Sequence, residues 1–408
     1  MLKLSNFAFK TLKTRPNISD NISTGILLQA GFIRQTMAGV YNYTTLWLKV
    51  LRNIENIVRE EMDNYGANEM LLSALSPKDV WEKTGRWDKV DVLFKIPASE
   101  GKEYALNPTH EEVVTPLMNE FIESYKDAGK CVYQIQNKFR NEKRAKSGIL
   151  RGREFLMKDA YSFHIDNAEF EEYYTGMQNV YMNIFARLGL KDSTVMCVAD
   201  GWDFTDKFSH EFQVITPIGE DTIYVCEDCG LGHNEEVLDG EKNFECSSCG
   251  SKKHIIEKAS EVGNIFPLET KFSNAFWLKM WDENNKPQDV LMGCYGIGIS
   301  RLMWVISEAF MTEKWIAWPK SIAPASHYII VMWDENLDVA TQLATDLESQ
   351  WNTVILDDRK GKKFGFWQKA GDCELFGIPN RIAITPKTLE QGWYELTVRW
   401  EESKIVSL

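Results

Sequence analysis

The chain is 408 residues long, 44% apolar and 12% aromatic, with 46 Lys and Arg against 59 Asp and Glu for a formal charge of −13. That length suits two or three domains, and the apolar share is enough for sizeable cores. The acidic balance excludes a protein that coats nucleic acid non-specifically, while leaving room for a local basic site.

The first nineteen residues carry Lys3, Lys10, Lys13 and Arg15 and no acid, as an organellar transit peptide would. They run directly into patterned sequence without a cleavage-like region or an apolar core, and are read as part of the protein. From Leu46 to Met62, Leu48, Leu51, Ile54, Ile57, Val58 and Met62 recur at three- and four-residue steps before Gly66, which predicts an amphipathic helix. Met70, Leu71 and Leu72 predict a short buried strand that ends near Pro77. Ile149 to Phe163 mixes apolar and charged residues as a strand lining a polar site would. Glycine-rich residues 293–298 lead into a helix from Ile299 to about Phe310. The segment Val290 to Phe310 is too interrupted by Arg301 and Glu308 to cross a membrane, so no membrane anchor is expected.

Pro319 and Pro324 punctuate a linker, and beyond it the pattern alternates. Strands are expected at Tyr328–Met332, Val354–Leu356, Ile382–Thr385 and Tyr394–Trp400, with helices at Leu337–Leu347 and Phe364–Phe376. This is an α/β module.

Cys131, Cys197, Cys294 and Cys373 are scattered, as suits a reducing compartment, whereas Cys226-x2-Cys229 and Cys246-x2-Cys249 form two pairs sixteen residues apart. Gly230 and Gly250 follow the pairs and permit tight knuckles that turn N–H groups toward sulfur. Four thiolates would close a tetrahedral zinc site with no open position, so the Zn2+ is expected to be structural. His233 and His254 are spare ligands by residue type, read as surface residues.

The most basic window, Lys138 to Glu154, holds seven Lys and Arg against two Glu, 7 − 2 = +5. A strand there would place Arg151, Arg153 and Phe155 on one face, an arrangement that suits phosphates and a stacked base; a solvated basic face is the other reading. Gly293-Cys294-Tyr295-Gly296-Ile297-Gly298 lacks both the Walker and the dinucleotide pattern, which leaves glycine packing as its plainer explanation.

Phe139-Arg140-Asn141-Glu142 with Gly148 to Phe163 resembles motif 2 of class II aminoacyl-tRNA synthetases, in the version of the prolyl-tRNA synthetases, and Cys294 to Arg301 resembles motif 3. Similar stretches run in order along nearly the whole chain: Ala30–Arg34, Ala38–Tyr43, Trp81–Trp87, Asn107–Glu112, Ser209–Phe212, Glu261–Phe266, Asp357–Arg359 and Phe376–Pro379. The resemblance implies an α+β fold: an antiparallel sheet flanked by helices in a catalytic domain over 1–320, the zinc ribbon inserted at 222–258, and an anticodon-binding domain over 321–408. It implies ATP-dependent ligation of L-proline to tRNA-Pro through prolyl-adenylate, with Mg2+ bridging the ATP phosphates, in a cytoplasmic homodimer.

Residue by residue, the resemblance gives Arg140 the α-phosphate and the proline carboxylate, and Glu142 the adenine amino group. Arg151 would reach the terminal phosphates, Phe155 would stack under adenine, and Arg301 would cover its other face and touch the γ-phosphate. Thr109 and Glu111 would receive the proline ammonium, with His210 and Asn264 on the pocket wall. Asp358, Arg359, Lys362 and Lys363 are the expected tRNA contacts, unranked.

The chain departs from the family at Ser73, Thr45, Trp47, Arg144-Ala145-Lys146, Trp202–Phe208 and Glu269. The last two touch the amino-acid pocket, where Glu269 would add a charge. About fifty residues separate Phe212 from Gly263, so the editing domain of many bacterial relatives has no place, and a separate deacylase is the expected partner for clearing alanyl-tRNA. The competing readings are a paralogue that activates another amino acid or charges no tRNA, and a non-catalytic zinc-ribbon RNA-binding protein.

Overall fold

The computed structural model describes residues 1–16, 22–143, 150–238 and 244–408. They form two compact units, one of Met1–Met37, Tyr41–Ile54 and Ile306–Leu408, the other of Ala38–Val40 and Glu55–Val305. Arg144, Lys146, Gly148 and Ile149 of the expected motif 2 lie outside the described residues.

The second unit is built on a nine-stranded sheet: β1 (Asn68–Glu69), β2 (Lys130–Phe139), β3 (Glu154–His164), β4 (Thr194–Ala199), β5 (Ser209–Ile215), β6 (Asp221–Cys226), β7 (Gly232–Asn234), β8 (His254–Glu269) and β9 (Leu291–Ile297). Its order is β5-β4-β7-β6-β8-β9-β3-β2-β1. The central ladders β8–β9, β9–β3 and β3–β2 are antiparallel; only β1–β2 and β4–β7 run parallel. The long strand β8 carries β6 against its first third and β5 against residues 259–265, so the ribbon segment branches from the same strand that enters the central sheet.

Helix α1 (Glu111–Met118) lies at one face, and helix α2 (Asn167–Arg187) covers the other. Asp166 caps α2 by accepting from the Glu169 N–H. Its buried stripe, Phe170, Tyr174, Met177, Tyr181, Ile184 and Phe185, follows the 3.6-residue period and packs on the sheet. Each such side chain contributes roughly 1.5–3 kcal/mol relative to exposure. Tyr181 lies on Phe212 at 4.8 Å, and a Cβ at Gly263 would stand 3.0 Å from its ring, so glycine is what lets the ring cross β8. Helix α3 (Ile299–Ala309) follows β9 directly.

In the first unit, parallel strands His327–Val331, Val354–Asp357 and Asn380–Ile384 are extended by antiparallel Trp393–Val398 and Lys404–Ser407. Leu2–Lys3 adds a parallel edge strand beside Val354–Asp357. Helices Leu337–Ser349 and Phe366–Leu375 complete the α/β module. Trp47, one of the departures from the family pattern, is buried here with Phe32 and Trp318, each about 6.1 Å away.

Several expectations change. Met70–Leu72 is not a buried strand: the pairing sits at Asn68–Glu69, and Leu71 is 74% exposed. The motif 2 strand begins at Glu154, so Arg151 and Arg153 lie in the preceding turn and do not alternate with Phe155 on a strand face. Residues 293–297 are the C-terminal part of β9, paired on both sides, and lead into α3 as expected. A Cβ at Gly293 would stand 2.2 Å from the Tyr295 hydroxyl, which makes packing the reason for that glycine. Lys404–Ser407 and Leu2–Lys3 were not foreseen, being four- and two-residue segments whose strand state comes from their neighbours.

Candidate active site

The face of the sheet opposite α2 gathers most of the expected residues. Arg140 follows β2, and its N–H donates to the Arg153 carbonyl at 3.0 Å, which brings the two ends of the β2–β3 hairpin together. Its guanidinium lies 5.1 Å over the Phe155 ring. Arg153 is structural, donating to the carbonyls of Glu142 and Ala38 at 3.0 and 2.8 Å. Arg151 is half exposed and reaches Glu142 at 3.9 Å.

Arg301, on the first turn of α3, donates to the Glu261 carboxylate at 2.7 Å and to the Leu150 carbonyl at 3.2 Å. Ser300 accepts from the Leu156 N–H at 3.0 Å, so the start of α3 is pinned to β3. Burial and the nearby Arg301 hold Arg140 below its ordinary pKa; for Arg301, burial acts the same way but Glu261 more than offsets it. Cations held together in a partly desolvated place attract a polyanion strongly. The cluster Arg140, Arg151 and Arg301, with Phe155 beneath one of them, is chemically suited to a nucleotide triphosphate.

Next to it is an acidic recess. Glu111 is wholly buried, accepting from the Thr109 hydroxyl and, at 3.1 Å, from the Cys294 thiol. Its loop is fixed by a buried network: the His110 N–H donates to the Tyr161 hydroxyl at 3.0 Å, and Tyr161 donates to Asp159 at 2.8 Å. Lys138 pairs with Asp159 at 2.7 Å and donates to His110 Nδ1 at 2.5 Å, leaving Nε2–H for the Ser73 carbonyl at 3.0 Å. Burial, with Lys138 beside it, pushes His110 down to about 4, so the ring is neutral in a single tautomer. Asn264 donates to Glu211 at 3.2 Å, and burial together with Glu261 pushes Glu211 up to about 8.

His210 is not brought to this group. It alternates with Glu211 along β5 and so points to the α2 face, where Tyr174 bonds its ring at 3.0 Å. It lines a separate cavity of about 450 Å³ with Phe170, Phe208 and Pro267. Glu269 adds no free charge to the pocket: it pairs with Lys207 at 2.6 Å, so two departures from the family offset each other.

Asp358 and Arg359 are already engaged within the first unit. Asp358 accepts from the Ser5 N–H and hydroxyl, and Arg359 is held by Asp357 and Asp372 at 2.6 and 2.7 Å. Lys362 and Lys363 are exposed beside a cleft of about 290 Å³ lined by Trp333, Arg359, Lys360 and Phe364.

Cys226, Cys229, Cys246 and Cys249 bring their sulfurs within 4.8 Å of one another, with contacts of 3.6 and 3.5 Å. Zinc–sulfur bonds of about 2.3 Å in a tetrahedron separate the sulfurs by about 3.8 Å, so the donor set fits Zn2+. Gly230 and Gly250 hold φ of +79° and +70°, the left-handed turns that the knuckles need. His233 is buried, not at the surface as expected, and bonds Ser247; His254 lies 4.5 Å from the Phe244 ring, and neither joins the thiolates. Glu261, Asp159 and Glu211 were given no role from the sequence, and Lys138 only a share in the basic window; a charge inside an otherwise apolar strand was the available signal for these, whereas Arg86 lies in no strand and carried none.

Residues 94–310 match the model of the tRNA synthetase class II core domain (G, H, P, S and T). A proline–tRNA ligase of Maricaulis maris is 35% identical over 98% of this chain and 94% of its own length. One from Halalkalibacterium halodurans is 30% identical over 98% of the chain and 95% of its own length, in an alignment 552 positions long. A prolyl-tRNA synthetase structure from Cryptosporidium parvum, complexed with L-proline and AMP, shares the fold at a TM-score of 0.75 and 16% identity, covering 94% of this chain and 72% of that one.

Proposed function

We propose, for a chain that belongs to the proline–tRNA ligases among the class II aminoacyl-tRNA synthetases, that the arginine cluster and the adjoining acidic recess divide the two substrates of the first half-reaction between them. The enzyme ligates L-proline to tRNA in two steps. A proline carboxylate oxygen attacks the α-phosphorus of ATP and pyrophosphate leaves; a hydroxyl of the terminal ribose of the tRNA then attacks the adenylate carbonyl and AMP leaves. The observation that carries the residue assignment is the arginine cluster beside a buried Glu111 whose nearest guanidinium is engaged more closely by Glu112.

In this reading Arg140 neutralises the α-phosphate and orients the proline carboxylate, a role worth most where charge develops in the transition state. Phe155 and Arg301 hold adenine between them, Glu142 accepts from its amino group, and Arg151 and Arg301 take the terminal phosphates. Arg301 must exchange some of its bonding to Glu261 for phosphate. Glu261 would then be free to hold Mg2+, whose hard-oxygen preference it fits, and the ion would supply charge neutralisation to the phosphates. Thr109 and Glu111 receive the proline ammonium, and Asn264 with Glu211 closes the wall. Cys226, Cys229, Cys246 and Cys249 would hold a structural Zn2+ that takes no part in either step.

The division into a catalytic domain over 1–320 and an anticodon-binding domain over 321–408 belongs to the same proposal, as do the homodimer and the cytoplasmic setting. Within the described residues no helix is long and apolar enough to cross a membrane. Lys362 and Lys363, with the Trp333–Phe364 cleft, are better tRNA contacts than Asp358 and Arg359, whose side chains are already bonded.

Proline-dependent pyrophosphate exchange tests the reading across all twenty amino acids. Arg140→Ala is expected to lower the rate by at least about 10²-fold; exchange that is undiminished in this variant, or driven better by another amino acid, refutes it. Because the 552-position alignment far exceeds this 408-residue chain, the insertion of longer relatives supports a lack of editing here. Preformed alanyl-tRNA should stay intact in the presence of the enzyme, with removal left to a separate deacylase.

A further inference from the structure

Resting on the proline-activating reading, we propose that Arg86 is a positioning residue that sets the charge of the amino-acid recess by engaging Glu112 and leaving Glu111 for the substrate cation. The Arg86 side chain is 4% exposed and donates to both oxygens of Glu112, at 2.8 and 3.1 Å, while standing 3.8 Å from Glu111. Glu112 is further held by the Thr84 hydroxyl at 2.9 Å. Both carboxylates are wholly buried.

Burial and the neighbouring Glu111 push Glu112 up, while Arg86 and the Thr84 hydroxyl oppose this; with Arg86 holding Glu112 ionised, two carboxylates share one guanidinium and the net charge is −1. The surrounding charged groups do not cancel it. Lys138 and Asp159 pair with each other, and His110 beside them is neutral. Asp203 and Lys271, which act on Arg86 from the adjoining segments, are of opposite sign. The Cys294 thiol is un-ionised and donates to Glu111. A buried excess charge is costly until a cation answers it, and proline's secondary ammonium is such a cation.

Aromatic walls keep Arg86 on Glu112. Its guanidinium lies 4.8 Å from the Phe204 ring, 5.4 Å from Phe272 and 5.5 Å from Trp81. Phe204 in turn lies 4.7 Å from Phe266, and it belongs to the segment that the Lys207–Glu269 pair ties to the end of β8. The departures from the family pattern at 202–208 and 269 therefore form a local brace for the residue that partitions the two glutamates.

The test measures proline-dependent and ATP-dependent pyrophosphate exchange on the full-length protein. Arg86→Met is expected to raise the proline KM about ten-fold, with the ATP KM within about two-fold. Glu112→Gln frees Arg86 to turn onto Glu111 and should raise the proline KM as well. The double variant R86M/E112Q restores the charge of −1 and should return to within about three-fold of wild type, whereas Arg86→Lys, which keeps the charge but not the two-oxygen grip, should lie between R86M and wild type. A double variant no better than the worse single, or proline and ATP KM values that rise together, would mean a merely structural role and overturn the proposal. Should R86M fail to fold, E112Q alone decides: an unchanged proline KM sinks the idea. Wild type without proline-dependent exchange would instead refute the parent reading.

Discussion

Trp202, Trp277, Trp351 and Trp400 each hold a positive φ, between +47° and +68°, while their side chains are 65%, 81%, 97% and 74% exposed. The left-handed region costs a side-chain-bearing residue roughly 1–2 kcal/mol, and an exposed ring recovers little of that by burial. Glycine at each position should raise the apparent melting temperature, by about 0.5–1 kcal/mol of stability per site. Trp351 should gain most; Trp400 should gain least, because it stacks on Trp315 at 6.2 Å. A lower melting temperature for W351G would refute this. At the same scale, Arg140, Glu142, Phe155 and Arg301 were legible because each sits at a fixed offset within a contiguous motif. Arg86 and Glu261 were not, since what matters about them is which carboxylate or cation stands across a loop or a strand.

Among the described residues around the four thiols, the buried cluster is Tyr224, Cys226, Phe244 and Cys246, with Leu231 and Leu238 against it, so a metal would carry much of the order there. Metal analysis of protein purified without chelators should find about one zinc per chain. Cys226→Ser or Cys249→Ser should lose it and raise amide exchange across that segment; unchanged protection would count against a structural metal. The cysteine spacing made this element readable in advance, because four ligands at such separations have few other uses. The motif 2 strand was less readable. Alternation of Arg151, Arg153 and Phe155 looks like a strand, but the pairing of β3 with β2 starts only at Glu154 opposite Phe139, where the hairpin turn ends.

Across the molecule, His110 and His164 are both held at about 4 against 6.5 in an unfolded chain, chiefly by burial. Between those values the unfolded chain binds more protons, so stability rises with pH there. The contribution is complete above pH 6.5 and is lost as pH falls toward 4, up to about 3 kcal/mol for each histidine. Denaturant titrations should show that slope, reduced by about one proton in His164→Asn; an identical slope would mean that His164 does not drive it.

The order of motifs, the spacing of the four paired cysteines and the alternating α/β pattern after the prolines were determined by the sequence alone, because each depends on offsets along one chain. The two faces of the central sheet were not. That His210 belongs to α2 while Glu211 faces Asn264, and that Lys207 answers Glu269 while Glu112, not Glu111, holds Arg86, depend on strand register and loop packing. Those contacts join residues tens of positions apart, and only the tertiary structure chooses among the partners that the same charges would allow.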